Sequence, residues 1–366
     1  MKPVFHLIPS LEIGGIETMM TRFVDRCPSD IPYVLVIFDG IERVGITLTD
    51  AMLQRIIPLG AARPLRRIVS MVRFIMDQRN AVIVSSTWKM AAMVLLARLF
   101  GWRGTHWSFT HRSSSAGPID QILRRWQVRH SDLCLTDSAA AAAWVRRQGV
   151  AVRIEELLPI FTPPEAMPRR GIRLPARICF VGRLAPVKNL PSIFKLIETL
   201  TSAGLAIEFD IYGPDGGQLA LVEEWLGRPH SPQVRCQYLG AVPPDRTWDI
   251  VRDYDFLISC SHTEGFALSV AEAMQMGVVP IVGTVGGPAT YCDDANAILL
   301  RDYSPAGIEC AARQIRDVVS DPPRYARMSA AAQATFSTGS DFVRRFSALL
   351  RDTLEVPESG TKAAAA

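Results

Sequence analysis

Two glutamates, Glu264 and Glu272, stand eight residues apart in the stretch Ser259-Cys-Ser-His-Thr-Glu-Gly-Phe-Ala-Leu-Ser-Val-Ala-Glu-Ala-Met-Gln-Met-Gly277. Each carboxylate can accept hydrogen bonds from hydroxyl groups, and Gly265 between them lets backbone approach a ligand closely. Leu268, Val270, Ala271 and Met274 give the later part of the stretch a helical apolar face. A helix therefore begins soon after Gly265, and the unpaired amides of its first turn are a ready anion site. The combination suits a molecule with hydroxyls at both ends and a phosphate group in the middle. If the segment were helical throughout, the two carboxylates would be separated by a rise of roughly 12 Å. Taken alone, the pair reads equally as a helix cap and a solvated surface residue.

Gly182-Arg-Leu-Ala-Pro-Val-Lys-Asn189 follows an apolar strand and precedes a helical pattern. Arg183 offers a planar fork and Lys188 a compact point charge, which together can neutralise a diphosphate; alone, the segment is also a solvated basic turn. Gly14-Gly15-Ile16-Glu17 opens the first helix, where adjacent glycines permit a tight turn beside an anion, although no Gly-x-Gly-x-x-Gly fingerprint is present. His111 follows the strand ending Trp107-Ser-Phe-Thr110, a place from which it can donate to a sugar or phosphate oxygen. His262 is close to Glu264 in sequence and is the weaker candidate. Asp253-Tyr-Asp255 fits an Asp-x-Asp metal pattern.

The elements that must position these residues alternate strand and helix. Strands are expected at 4–8, 33–38, 82–85, 105–110 and 133–136, with helices at 16–27, 65–76, 90–100, 119–129 and 139–147. A second alternation has strands at 177–181, 207–212, 234–238, 256–259 and 278–282 and helices at 191–200, 219–225, 247–252 and 267–276. Helices follow from Pro305. Such an order implies α/β architecture with parallel sheets and right-handed crossovers. The proline-dense stretch Leu157 to Pro168, ending in Arg169-Arg170-Gly171, reads as a linker between the halves. The boundaries expected are a first domain at 1–160, a linker at 161–175, a second domain at 176–338, a helix at 339–358 that can pack back on the first domain, and a frayed tail at 359–366.

Composition narrows the classes. A chain of 366 residues exceeds what one core usually fills, and 48% hydrophobic with 21% charged residues is ordinary for a globular protein. Seven cysteines without a Cys-x-x-Cys pair argue against a disulfide framework and a zinc site and fit a reducing cytoplasm. No signal peptide and no run approaching a membrane span is read, and no RNA-binding motif with aromatic platforms appears. Charge is uneven: through Glu165 there are 20 Lys/Arg against 14 Asp/Glu, and beyond it 20 against 22. The first half is thus expected to meet an anionic partner. Arg63, Arg66, Arg67, Arg73 and Arg79 stud an amphipathic segment that reads either as a helix packed on the core or as one lying on an anionic membrane.

With its Glu272-Ala-Met and Gly277-Val-Val-Pro280 continuation, the Glu264 stretch resembles the Glu-x7-Glu signature of the retaining glycosyltransferases of family 4, which have the GT-B architecture of two facing Rossmann-like domains. Gly182-Arg-Leu and Lys188 are similar to that family's Gly-Arg-Leu-x-x-x-Lys motif, and Gly14-Gly15-Ile16-Glu17 to its Gly-Gly-x-Glu loop. The likeness extends from these glycines to Gly286-Gly287. It implies that Arg183 and Lys188 bind the diphosphate of a nucleotide-sugar donor, that Glu264 binds the sugar and Glu272 the ribose, and that His111 touches the transferred sugar. It places the donor on Gly15, Gly182, Gly265, Phe266, Ala267, Leu268 and Glu272, and the acceptor near Gly14 and Glu17. It also implies Asp255 as a structural residue, no metal and no cofactor. The expected activity is transfer of a hexose to a saccharide or lipid-linked saccharide acceptor in polysaccharide or glycoconjugate synthesis, in the cytoplasm or at the cytoplasmic face of a membrane. Alternatives are a nucleotide-sugar epimerase of the same fold and a non-catalytic nucleotide-binding partner of another transferase. The family's Glu after Gly-Gly is replaced near Thr290, its Asn-Gly-x-Asp is absent from Pro159 to Pro163, and the loop Gly283 to Pro288 is expected to line the cleft.

Overall fold

Residues 2–11, 14–39, 48–60, 63–112, 117–163, 171–336 and 341–355 are described by the computed structural model. Residues 164–170 of the expected linker and the expected tail lie outside them. In the first half, β1 (Val4–Ile8), β2 (Tyr33–Ile37), β3 (Ile56–Pro58), β4 (Val82–Ser85), β5 (Thr105–Thr110), β6 (Leu133–Thr136) and β7 (Arg153–Glu156) form one sheet in the order β3-β2-β1-β4-β5-β6-β7. Every pairing is parallel. The crossovers carry α1 (Gly15–Arg26), α2 (Asp50–Leu53), α3 (Pro64–Asp77), α4 (Trp88–Leu99), α5 (Pro118–Arg129) and α6 (Ala139–Arg147).

Period-two alternation explains how this sheet is covered on both faces. Val4 and Ile8 of β1 join Met19, Met20 and Phe23 of α1 in one cluster, whereas Phe5 and Leu7 join Met71 and Ile75 of α3 and Met90 and Val94 of α4 in another. Both faces being buried, β1, β2 and β4 are near-continuous apolar runs, which is why their positions are legible in sequence.

The second half repeats the plan. β8 (Ala176–Val181), β9 (Ile207–Tyr212), β10 (Val234–Tyr238), β11 (Phe256–Ser259), β12 (Val279–Gly283) and β13 (Ile298–Leu300) are ordered β10-β9-β8-β11-β12-β13, again all parallel. With them run α7 (Leu190–Ser202), α8 (Leu219–Leu226), α9 (Thr247–Val251), α10 (Leu268–Gln275), α11 (Pro288–Tyr291), α12 (Pro305–Val319) and α13 (Pro322–Thr335). Ile178, Phe180, Phe209 and Ile211 bury against Ile193 and Ile197 of α7 and Ile308 and Ile315 of α12.

The final helix, α14 (Phe342–Glu355), lies against α1: Phe346 meets Phe23 at 4.8 Å between ring centroids and Tyr33 at 6.0 Å, and Arg351 Nε donates to Asp30 at 2.8 Å. Three strands absent from the sequence reading, β3, β7 and β13, are all edge strands. An edge strand needs a ladder of backbone bonds on one side but no two-sided apolar run, and Arg153-Ile-Glu-Glu156 has none. In each sheet the strand order reverses beside the first strand of its half, between β1 and β4 and between β8 and β11. Crevices at such reversals, beyond the carboxyl ends of strands, are where open α/β sheets hold ligands.

Candidate active site

The loops leaving the carboxyl ends of β1, β5, β8 and β11 carry Gly14–Gly15, His111, Arg183 to Lys188, and Glu264 respectively. They meet around a cavity of about 470 Å³. Gly14, Gly15, His111 and Asp137 line it from the first half; Gly182, Arg183, Lys188, Glu264, Gly265, Phe266, Ala267, Leu268 and Glu272 line it from the second. A cavity of this size suits a compact organic ligand with a few convergent polar groups. Among the residues that the resemblance assigns to donor, sugar or acceptor, Glu17 alone is not part of the lining. Its carboxylate turns toward Gly14, where an added Cβ would collide with it and come within 3.2 Å of Arg183 Nη2. Gly14 therefore has no side chain at the point where an acid of the first half and a guanidinium of the second converge.

Lys188 ends a single 3-10 turn, Pro186–Lys188, and Asn189 then takes a left-handed conformation (φ 53°) before α7. This directs the Lys188 Nζ onto Glu264, donating to Oε1 at 2.6 Å and Oε2 at 3.1 Å. Glu264 is not on a helix: α10 begins only at Leu268, after Ala267 at φ 65°. The two glutamates are therefore joined by a loop followed by a short helix, the order expected from the apolar face that starts at Leu268. Asn189 and Ala267 are the two non-glycine residues of positive φ among the described residues, and both adjoin the cavity walls. Backbone strain of this kind is held in place by its surroundings and concentrates at ligand sites. At Ala267 the surroundings are the Tyr291 hydroxyl, which donates to the Phe266 carbonyl at 2.6 Å, and the loop from Gly286.

That loop corrects an expectation. Gly283 to Pro288 does not line the cavity; it braces the segment that does. Gly287 N donates to the Gly265 carbonyl at 2.6 Å, and Gly286, at φ 61°, leaves no room for a Cβ against the Glu264 carbonyl. Its glycines serve close backbone packing, not ligand approach. Thr290, where the resemblance expects a glutamate, is exposed, lies outside the lining and donates to the Gly287 carbonyl at 2.7 Å.

Glu272 is buried, and its carboxylate forms an ion pair with Arg22 of α1. Arg22 also donates to the Pro244 carbonyl and lies 4.2 Å above the Trp248 ring. The reading of Glu272 as a solvated face residue is excluded, because α10 packs that face toward α1 and α9. Burial raises the Glu272 pKa, with Arg22 opposing the shift. Sequence reasoning missed Arg22, although its place three residues after Met19 and next to Phe23 puts it on the inward helix face.

His111 is buried with its ring 4.2 Å from that of Phe109. Its Nδ1 lies 3.3 Å from Oδ2 of Asp137, a residue that follows β6 as His111 follows β5; that shared position was the available signal for Asp137. On the other side, His111 Nε2 is 3.4 Å from Ser86 Oγ, Ser86 Oγ is 2.6 Å from His6 Nε2, and the Tyr33 hydroxyl is 2.8 Å from His6 Nδ1. A polar chain thus runs from the core to the cavity. Burial, aided by His111, lowers the His6 pKa to about 3, so the imidazole is neutral. The backbone of Gly265 packs against this wall: a Cβ there would collide with the His111 carbonyl.

Asp253, Asp255 and His262 are outside the cavity lining. Asp255 accepts from the Arg177 amide at 3.0 Å, tying the start of β11 to β8, and the His262 amide donates to the Val187 carbonyl at 2.8 Å. The arrangement that remains is two basic side chains and a helix N-terminus for an anion, two carboxylates for hydroxyls, and a histidine on the facing wall.

Residues 170–335 match the family model "Glycosyl transferases group 1". The GPI3 subunit of phosphatidylinositol N-acetylglucosaminyltransferase from Saccharomyces cerevisiae (strain YJM789) is 28% identical over 125 residues, covering 34% of this chain and 27% of that protein. The D-inositol 3-phosphate glycosyltransferase of Rhodococcus jostii (strain RHA1) is 29% identical over 161 residues, 42% of this chain and 35% of that one. The matches thus span well under two thirds of these relatives. Among solved structures, Anabaena Alr3699/HepE in complex with UDP and glucose aligns with TM-score 0.70 at 16% identity, covering 97% of this chain and 99% of that one. Sucrose-phosphate synthase from Thermosynechococcus elongatus aligns with TM-score 0.76 at 14% identity over the same shares.

Proposed function

Since residues 170–335 belong to the group 1 glycosyl transferases and the chain has the GT-B fold, we propose that it moves a hexose from a nucleoside diphosphate sugar to an acceptor hydroxyl, with retention and without a metal. One observation carries the reading: a single cavity gathers Arg183, Lys188, Glu264 and Glu272 opposite Gly14, Gly15 and His111. The solved neighbour with UDP and glucose supports a nucleotide-sugar donor.

In this reading the bond from the anomeric carbon to the β-phosphate oxygen breaks, and its electron pair stays on the diphosphate. Arg183, Lys188 and the first amides of α10 stabilise that charge, as preorganised donors do wherever charge develops. Glu264 holds sugar hydroxyls and, through its bond to Lys188, sets the ammonium beside the leaving group. Glu272 receives the ribose while Arg22 holds its carboxylate in place. The acceptor oxygen attacks from the face the diphosphate leaves and gives its proton to a departing phosphate oxygen. His111 and Gly15 shape the acceptor side.

Incubation with several nucleotide sugars, with and without a lipid-linked saccharide, tests this. Nucleoside diphosphate release with a new glycosidic product supports it. Altered donor without any acceptor indicates an epimerase, and binding without turnover a non-catalytic partner; either result replaces the proposal.

A further inference from the structure

The face of the first sheet covered by α3, α4 and α5 combines exposed apolar and exposed cationic side chains. Ten large hydrophobic side chains are exposed among the described residues, and five are on these three helices, Leu65, Val69, Leu99, Ile119 and Ile122, with a sixth, Phe100, directly after α4. The helices are neighbours, with α4 in contact with both α3 and α5, so their outer sides form one continuous surface. Between residues 63 and 130 there are twelve Lys/Arg and two Asp/Glu, in a chain whose net charge is only +4. Some of the cations have acidic partners: Arg67 pairs with Asp39 at 2.6 Å, Arg98 with Asp132 at 3.1 Å, and Arg112 approaches Asp120 at 3.9 Å. Arg66, Arg73, Lys89, Arg125 and Arg129 are exposed.

Their spacing completes the pattern. Leu65, Val69 and Arg73 succeed one another at four-residue steps on α3, and Ile122, Arg125 and Arg129 at three and four on α5. Both α3 and α5 therefore present an outward stripe that starts apolar near the cleft and becomes cationic away from it, whereas α4 has exposed Lys89 near its start and Leu99 at its end. A core-packed helix has its apolar residues inward, which α3 achieves separately with Met71 and Ile75. A second apolar set on the outside has no role in that core. Aliphatic side chains interspersed with arginines fit an interface whose headgroups are anionic and whose interior is hydrocarbon, and no single helix here is long and apolar enough to cross a membrane among the described residues.

We propose that the α3–α4–α5 face docks this chain on an anionic lipid bilayer. The helices α3 and α5 begin at the carboxyl edge of the sheet, the edge that carries His111 and Arg112 of the cavity, and Arg112 reaches Asp120 of α5. The surface therefore adjoins the acceptor side of the site. It rests on the transferase reading only for what the bilayer delivers: an acceptor sugar carried on a lipid.

Co-sedimentation with equimolar phosphatidylglycerol and phosphatidylcholine vesicles, against phosphatidylcholine alone, tests the docking itself. The full chain should bind the mixed vesicles and not the neutral ones, and salt should weaken the binding. Arg73→Glu with Arg125→Glu should weaken it more than about 20-fold, at about fivefold for each arginine near the surface. Leu65→Ser with Ile122→Ser should weaken it about tenfold while leaving the charge unchanged. All four positions are exposed, so melting temperature and nucleoside diphosphate release without vesicles should match the parent. Absence of binding to mixed vesicles, or binding unchanged in both variants, overturns the proposal. So does tighter retention on single-stranded DNA that ignores the Leu65 and Ile122 changes, which would identify a different polyanion. Loss of nucleotide release in the parent itself would count against the transferase reading and not against the surface.

Discussion

Arg22 and Glu272, 250 residues apart in the chain, form a buried ion pair that joins α1 of the first half to α10 of the second. Neither group is solvated, so removing one leaves the other as a buried charge without a partner. Arg22→Met should cost about 3–5 kcal/mol of stability. Arg22→Met combined with Glu272→Gln should recover part of that loss, because the orphaned carboxylate is gone. Denaturant unfolding of the two singles and the double measures the coupling. A cost below about 1 kcal/mol, as for an exposed pair, would remove Arg22 from its place as the support of Glu272.

Lys188 is held by Glu264 in an ion pair of 2.6 Å, and in the proposed reaction its ammonium stabilises the leaving diphosphate. Lys188→Ala and Arg183→Ala should each lower turnover roughly 10²-fold, the scale for losing one preorganised stabiliser. A chelator should leave turnover unchanged. Near-normal rates in folded Lys188→Ala protein would sink the assignment, and strict dependence on Mg²⁺ or Mn²⁺ would redirect attention to Asp253 and Asp255.

At Gly265 the second half packs its backbone against the His111 carbonyl of the first, with no room for a Cβ. Gly265→Ala should push the loop away from the His111 carbonyl, costing about 1–3 kcal/mol and weakening nucleotide binding. Calorimetric titration with UDP and a melting curve report the two effects. Gly171→Ala, where a Cβ meets nothing within 4 Å, is the control. Equal behaviour of the two variants would show that the contact is loose.

Two buried histidines predict the acid limit of stability. Burial holds His6 at about 3 and His106 at about 4, below their ordinary value of 6.5. The unfolded chain therefore binds protons first as pH falls. Their stabilising contribution is complete above pH 6.5 and declines toward the folded values, by about 1.4 kcal/mol per pH unit for each histidine. Unfolding free energies between pH 7 and 5 should show this slope, and His6→Gln, which keeps a partner for Ser86, should reduce it. An unchanged slope in that variant would mean that His6 titrates normally.

How much of this was legible in sequence follows from the range of each interaction. Apolar period and strand–helix alternation are local, so the two parallel sheets, most of their helices and the order of the chain could be read directly; the edge strands β3, β7 and β13 could not, since pairing with a neighbour defines them. Glu264, Lys188, Arg183, His111 and the paired glycines were recognisable by type and by position at strand ends, because a loop that must meet an anion constrains neighbouring residues together. Arg22 and Asp137 were not, and neither was the bracing role of Gly286 and Gly287. Whether Glu272 faces solvent, ribose or an arginine is decided by which helix packs over it, and that depends on the approach of two sheets whose contacting residues are hundreds of positions apart. Residue types along the chain set the chemistry available at each loop; the fold sets which charges are buried together, because desolvation and ion pairing arise from proximity in space.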